Sequence, residues 1–109
     1  MKTVDLGKAR TNKDVRVFAG RERGKHWRSE FSLDDLDVGR EPVHVLIPDD
    51  VIAINISFFL SMFGKSVRTL GKENFRTHYK FEVPAELLPL IDLGIEQAVK
   101  TSSALPELA

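Results

Sequence analysis

The feature that most constrains the fold is a short apolar run in the middle of the chain, Val43–Ile47. Its residues do not alternate between apolar and polar, a pattern typical of a strand that lies in the interior of a sheet and is covered on both faces. Pro48 follows directly and has no backbone N–H to donate, so the hydrogen-bond ladder is expected to end there. The run therefore predicts a central strand, in which His44 is expected to be a core histidine with a hydrogen-bonded ring.

Weaker patterns flank this run on the amino-terminal side. Alternating residues at 3–6 and 15–18 predict two half-buried strands, and the polar segment between them predicts a hairpin. A helix is predicted from Arg21 onward, with Trp27 on its thin apolar face. Ser32 is a typical cap residue and predicts one more helical turn before the central strand.

The clearest helical pattern in the chain follows the central strand. It begins with Asn55 or Ser57 as the N-cap and is expected to end at Gly71, a residue type common just after helices. Gly64 inside this helix costs about 1 kcal/mol relative to alanine, which predicts a close approach to a neighbouring backbone. Its apolar residues recur at helical spacing: Ile56, Phe59, Leu60, Phe63, Val67 and Leu70.

The carboxyl-terminal third predicts one more strand and one more helix. Residues Tyr79–Val83 alternate cleanly, as in a strand near a sheet edge, and Pro89 is placed to start a helix. The resulting order, ββαβαβα, predicts a single α/β domain over residues 1–100, with a mixed sheet of about four strands and helices packed on it. Residues 101–109 are expected to form a short, frayed tail.

Composition limits the classes of function. The 16 Lys and Arg balance the 16 Asp and Glu, so the uniformly basic character of many nucleic-acid binders is missing. Without cysteine, the chain can form neither a disulfide nor a thiolate metal site. The apolar runs are too short to cross a membrane, and the amino terminus does not have the pattern of a secretory signal, so a cytoplasmic domain is expected.

Few residues in the chain suggest catalysis. The three histidines, His26, His44 and His78, fall on three different predicted elements and have no metal-ligand spacing. Asp49 and Asp50 are possible magnesium ligands, but no phosphate-binding loop accompanies them. We therefore expect neither a metal nor another cofactor, and we expect a domain that is not an enzyme.

A basic stretch on the first predicted helix supports an alternative function. Its cations surround Trp27, whose ring could stack on a nucleic-acid base. The opposing explanation places Trp27 on the core side of the helix. The alternative nucleic-acid patch comprises Arg21, Arg23, Lys25 and Arg28.

The most informative segment runs from the end of the central strand into the long helix. In open α/β sheets, ligands and partners bind in the crevice beyond the carboxyl ends of the strands. A helix that begins there offers free backbone N–H groups and partial positive charge. The expected partner-binding residues are Pro48, Asp49, Asp50, Asn55, Ile56, Ser57 and Phe58.

The residues Val51–Gly64 (VIAINISFFLSMFG) and Leu70–Phe75 (LGKENF), together with this organisation, resemble the bacterial STAS-like family, which is related to anti-sigma factor antagonists. The resemblance is strongest over residues 43–99. It implies a small, non-catalytic α/β domain of bacterial regulation that binds a signalling protein. In the antagonists that protein is a histidine-kinase-like ATPase, which phosphorylates a serine at the start of the helix.

At the corresponding positions the sequence departs from the family pattern. Ile56 stands where the antagonists carry the acceptor serine, and it cannot accept a phosphoryl group. Asn55 stands in place of the preceding acid, and Phe58 replaces a glycine. Ser57, one position after the acceptor, is the candidate phospho-acceptor of this chain, because a phosphate there would be stabilised by the helix dipole. A plain capping role for Ser57 is the alternative.

Overall fold

Five short strands and five α-helices make up the described part of the chain, which in this computed structural model comprises residues 2–9 and 16–104, with the backbone alone for 101–104. The strands are β1 (Lys2–Asp5), β2 (Val17–Phe18), β3 (Val43–Leu46), β4 (Ala53–Ile54) and β5 (Tyr79–Glu82). The helices are α1 (Arg21–Glu30), α2 (Leu33–Val38), α3 (Ile56–Leu70), α4 (Lys72–His78) and α5 (Leu88–Ala104). Single 3₁₀ turns occupy Leu6–Ala9 and Ala85–Leu87.

The strands form two small parallel sheets. The larger has the order β1-β3-β5, with Val43 opposite both Lys2 and Tyr79, so the prediction that β3 is the central strand is confirmed. The smaller pairs β2 with β4. The predicted hairpin is wrong, because β1 and β2 lie in different sheets, and the predicted mixed sheet is wrong for the described strands, whose pairs are all parallel. The α/β class is confirmed.

The three-stranded sheet is covered on one face. Val43 and Val45 of β3 are fully buried, as are Val4 and Tyr79 beside them, whereas His44 and Leu46 on the other face are half-buried. The prediction that both faces of β3 are covered is therefore wrong. His44 is not a core residue: its ring is 32% exposed, and its Nε2 lies 2.9 Å from Glu82 Oε1 on the open face.

Helices α1, α3 and α5 pack side by side, with α3 in the middle. Two glycines allow the close contacts. A Cβ on Gly24 of α1 would lie 2.7 Å from the backbone oxygen of Phe58, and one on Gly94 of α5 would lie 2.4 Å from the Phe59 ring. The close approach predicted at Gly64 is wrong, since a Cβ there would meet only the end of the Arg68 side chain, at 3.1 Å.

Local signals set the ends of α3. The Asn55 side chain accepts a hydrogen bond of 2.8 Å from the Ser57 N–H, so Asn55 is the N-cap. Gly71 ends the helix with a φ of 86°, as predicted from its residue type. Helix α4 then starts at once, an element that the sequence pattern did not predict.

Two of the three carboxyl-terminal predictions are confirmed. Strand β5 lies at an edge of the sheet, as predicted, and the helix expected at Pro89 is α5, which begins at Leu88. The backbone stays helical through Ala104, beyond the predicted start of the tail at residue 101. Residues 105–109 of that predicted tail lie outside the described residues, as does Val15 of the predicted second strand.

Candidate partner-binding site

The amino end of α3 is held on the surface by β2. Asn55 donates its backbone N–H to the carbonyl oxygen of Phe18 over 2.7 Å while its side chain caps the helix. Asn55 and Ser57 are both exposed. The alternative in which Ser57 caps α3 is wrong, and its hydroxyl lies on the outer surface of the first helical turn.

The segment before the helix also faces outward. Pro48 accepts a hydrogen bond of 3.1 Å from the Val51 N–H, and this turn leaves Asp49 and Asp50 exposed. Ile52 donates its N–H to the carbonyl oxygen of Arg16 over 2.8 Å, yet its side chain is 67% exposed. The backbone of residues 48–52 is therefore fixed by hydrogen bonds, while the side chains of Asp49, Asp50 and Ile52 are exposed on the surface.

Val17 on β2 is another exposed aliphatic residue near this segment. It lies opposite Ala53 in the β2–β4 register and is 44% exposed. Because successive side chains of a strand point to opposite faces, Val17 shares the face of Ala53 and not that of the residues beside it. We call residues 48–57 the 48–57 surface.

One predicted partner-binding residue is not on this surface. Phe58 is 1% exposed, and its ring centroid lies 5.3 Å from that of Phe18 in the core. Its prediction as a contact residue is wrong, because the position after Ser57 already points to the buried side of α3. Ile56 is half-buried, and the remaining predicted residues are exposed or, for Pro48, half-buried.

The route from β3 to α3 also differs from the prediction. Strand β4 lies between them in the chain and pairs with β2, so α3 follows a strand of the smaller sheet and not β3 directly. That edge has its own cavity of about 280 Å³. It is lined by Asp5, Leu46, Ile47, Pro48, Asp49, Glu82 and Val83. Pro48 and Asp49 thus line a cavity at the three-stranded sheet, whereas Asn55 and Ser57 come directly after β4 of the two-stranded sheet.

A further cavity, of about 440 Å³, lies at the opposite, amino-terminal edge of β1 and β3. Phe31 and Leu36 provide its apolar wall, and Lys2 and Arg40 bring positive charge. The sequence patterns gave no indication of this cavity, because its lining comes from two distant parts of the chain, residues 2–3 and residues 31–41.

The basic residues of α1 do not form the predicted patch. Arg28 is 12% exposed and donates to Met62 O at 2.7 Å and Ser66 Oγ at 2.9 Å. It also donates to Asp34 Oδ1 at 2.7 Å and Asp37 Oδ2 at 2.9 Å. Its prediction as a nucleic-acid contact is wrong, because every one of these partners belongs to the protein itself.

The other three basic residues of that patch are exposed but do not all converge. At about 100° per residue, Arg23 lies roughly 160° around the helix from both Arg21 and Lys25, which are themselves about 40° apart. Glu22 lies between them on the exposed side of α1 and interrupts the positive charge. Trp27 is half-buried, with its ring centroid 5.6 Å from that of Phe31, as the core explanation requires.

Residues that the sequence analysis did not single out complete the environment of Arg28. Asp37, at 5% exposure, accepts a hydrogen bond of 2.5 Å from the Tyr79 hydroxyl. Ser66 is fully buried. We call Arg28, Asp34, Asp37, Ser66 and Tyr79 the Arg28 cluster. It joins α1, α2, α3 and β5. The sequence did contain an indication that Arg28 is buried: it follows Gly24 by four residues, and residues at this spacing lie on the same face of a helix.

Two groups of the Arg28 cluster have shifted acidities. Burial raises the pKa of Tyr79 well above its ordinary value, and the hydrogen bond to the Asp37 carboxylate raises it further. The hydrogen bond from Arg28, followed by that from Lys65, lowers the pKa of the exposed Asp34 carboxyl. At neutral pH both shifts favour a neutral phenol at Tyr79 and an ionised carboxylate at Asp34.

The described residues contain no group of three or more His, Asp or Glu side chains placed to hold a metal ion. None of the helices in the described part of the chain is both long and apolar enough to cross a membrane. Comparisons with models of protein families, with curated proteins and with solved structures gave no match.

Proposed function

We propose that this chain is a non-catalytic interaction module of the STAS-like type, which acts in bacterial regulation by binding a signalling protein through the 48–57 surface. The partner is a histidine-kinase-like ATPase or a sensor protein of the cytoplasm. The sequence resemblance over residues 43–99 supports the class of protein, and the surface supports the mode of action.

The observation that carries the proposal is the exposure of Ile52, at 67%, just before the capped start of α3. Single exposed aliphatic side chains are common, but the backbone of Ile52 is fixed by its hydrogen bond to the Arg16 carbonyl oxygen. Asp49 and Asp50 precede it in the chain and supply negative charge. An apolar centre with a charged rim is the usual composition of a protein interface.

The test is co-purification with an ATPase of the histidine-kinase type encoded beside this chain. Ile52→Asp, Asp50→Lys and Ser57→Trp each change an exposed side chain of the 48–57 surface. We expect each to lower recovery of the ATPase by about tenfold or more, as the loss of a central contact does. The matched control is Val38→Asp, because Val38 is 78% exposed on α2.

Equal recovery with the Ile52→Asp and Val38→Asp variants would contradict the proposed surface. Loss of recovery with both would indicate that the ATPase binds elsewhere or responds to general charge. Circular dichroism of each variant confirms that its fold is intact.

Ser57 is the proposed phospho-acceptor of this surface. Its exposure, and its place two residues after the N-cap, put a phosphate close to the free N–H groups of α3. Incubation with the ATPase and ATP should add the mass of one phosphate to the intact protein. Ser57→Ala should abolish that addition and Ser61→Ala should not. An unmodified wild-type protein would rule out phosphorylation as the switch.

A further inference from the structure

The outer edge of β5 has no strand beside it in the described part of the chain. Within a strand, the N–H and C=O of one residue point to the same side, and those of the next residue point to the other. Glu82 accepts a hydrogen bond of 3.0 Å from the Ile47 N–H, so the backbone groups of Glu82 face β3. Those of Phe81 therefore face outward.

The side chains along this edge carry a charge pattern. Lys80 and Glu82 are exposed on the open face of the sheet, with Phe81 between them on the helix-covered face. Phe81 is half-buried, and its ring lies 5.3 Å from that of Phe63 between centroids. The edge thus presents Lys80 and Glu82 on one face, where Glu82 Oε1 also lies 2.9 Å from His44 Nε2 but the Glu82 side chain is 71% exposed, and an incompletely covered aromatic ring on the other.

We infer that β5 pairs with β5 of a second copy of this chain, antiparallel and centred on Phe81. In this register the two Phe81 residues exchange both of their backbone hydrogen bonds around a two-fold axis. Lys80 of each copy then lies directly opposite Glu82 of the other copy. The two Phe81 rings lie side by side and cover each other.

The charges select this register from its symmetric neighbours. A shift that centres the pair on Lys80 places Lys80 opposite its own copy, and a shift to Glu82 places two carboxylates opposite each other. Like charges directly opposite across a strand pair destabilise it, and opposite charges stabilise it. Only the register centred on Phe81 gives opposite charges twice.

The other edge of the sheet does not offer this complementarity. On β1, Lys2 donates its N–H to the Pro42 carbonyl oxygen, so Lys2 faces inward and Thr3 faces outward. Centring a pair on Thr3 places Lys2 opposite Val4 of the second copy. No opposite charges meet, and the favoured edge is therefore β5.

A contact between strands of four residues is smaller than the interfaces of permanent dimers, so the expected dimer is weak and forms at high concentration. Sedimentation equilibrium up to about 1 mM protein measures its dissociation constant. Lys80→Glu and Glu82→Lys should each raise that constant by about tenfold or more, since each places like charges opposite twice. The double variant restores opposite charges and should return within about threefold of wild type.

Lys25→Glu is the matched control, because Lys25 is an exposed lysine on α1 and should leave the dimer unchanged. Amide exchange gives an independent readout: the Phe81 N–H should become protected as concentration rises in the wild type, but not in Lys80→Glu. A protein that stays monomeric up to about 1 mM would overturn the inference. So would a dimer that Lys80→Glu leaves intact, or a double variant that does not recover.

Discussion

Two charged regions of the molecule lie beside apolar residues but differ in burial. Arg28 is largely buried, whereas Asp49 and Asp50 are exposed. Arg28 is surrounded by four acceptors from α2 and α3 and joins the helices to one another. Asp49 and Asp50 lie on a surface turn next to the exposed Ile52. A charged residue in a sequence, such as Arg28, therefore cannot be assigned to a binding site until its contacts within the fold are known. The Arg28 cluster joins the helices of the fold, whereas the 48–57 surface is the one that we propose for partner binding.

The largest expected effect is at the cluster. Arg28→Ala leaves the Asp37 carboxylate buried without its cation, which should lower the free energy of unfolding by about 3–5 kcal/mol. Urea denaturation followed by circular dichroism measures it. Arg21→Ala, on the exposed side of the same helix, should change that free energy by about 0.5 kcal/mol or less. A similarly small change for Arg28→Ala would contradict the structural role of the Arg28 cluster.

Gly24 tests how closely the helices of the cluster must approach. A Cβ there would lie 1.8 Å from Ser61 Oγ and 2.7 Å from the Phe58 carbonyl oxygen, so Gly24→Ala should cost about 1–3 kcal/mol in thermal or urea unfolding. Gly64→Ala is the matched control in the neighbouring helix. It should stabilise α3 by up to about 1 kcal/mol, because only the end of Arg68 must move. Equal effects at the two glycines would contradict the described packing of α1 on α3.

Tyr79 makes the cluster sensitive to alkaline pH. Its pKa is raised above the ordinary value of 10.0, so the folded protein keeps the phenol proton where the unfolded chain loses it. This contribution is fully present below pH 10 and decreases above it, by about 1.4 kcal/mol per pH unit. The difference in urea stability between wild type and Tyr79→Phe should therefore shrink as pH rises through that range. A pH-independent difference would show that Tyr79 titrates alike in both states.

The smallest effect is expected at the 48–57 surface. Asn55→Ala removes the cap of α3 and should destabilise the fold by about 1 kcal/mol. Ser57→Ala should have an effect of about 0.5 kcal/mol or less, since its side chain is not the cap. Thermal unfolding of both variants checks the order. If Ser57→Ala were the more destabilising, Ser57 would have a structural role and its availability to a partner would be in doubt.

Local signals in the sequence predicted much of the fold. The apolar run at 43–47 located the central strand, and Asn55 and Gly71 located the ends of α3, because capping depends on residues a few positions apart. The same reasoning failed for the partners of β1 and β2. Strand pairing is decided by residues distant in the chain, and a polar segment between two strands does not determine that they form a hairpin.

The candidate site was predictable only in part. Asn55 and Ser57 were placed correctly on an exposed helix start, since an N-cap and the first turn are read from adjacent residues. Phe58 and Arg28 were misassigned for a common reason: their burial depends on which neighbouring helix or strand lies beside them. A close approach was predicted at Gly64 and missed at Gly24 and Gly94, because helix propensity says nothing about which element packs beside a glycine.

The parallel pairing also determines the order in which the molecule can be assembled. Lys2 lies opposite Val43, Val43 opposite Tyr79, and Val17 opposite Ala53, so every pair of strands closes a long loop that contains helices. A nascent chain that has emerged only as far as β3 lacks α3, the helix against which α1 and α5 pack. The three-stranded sheet therefore cannot be completed until residue 82 has left the ribosome, and fragments cut between α3 and β5 should be substrates for chaperones and proteases.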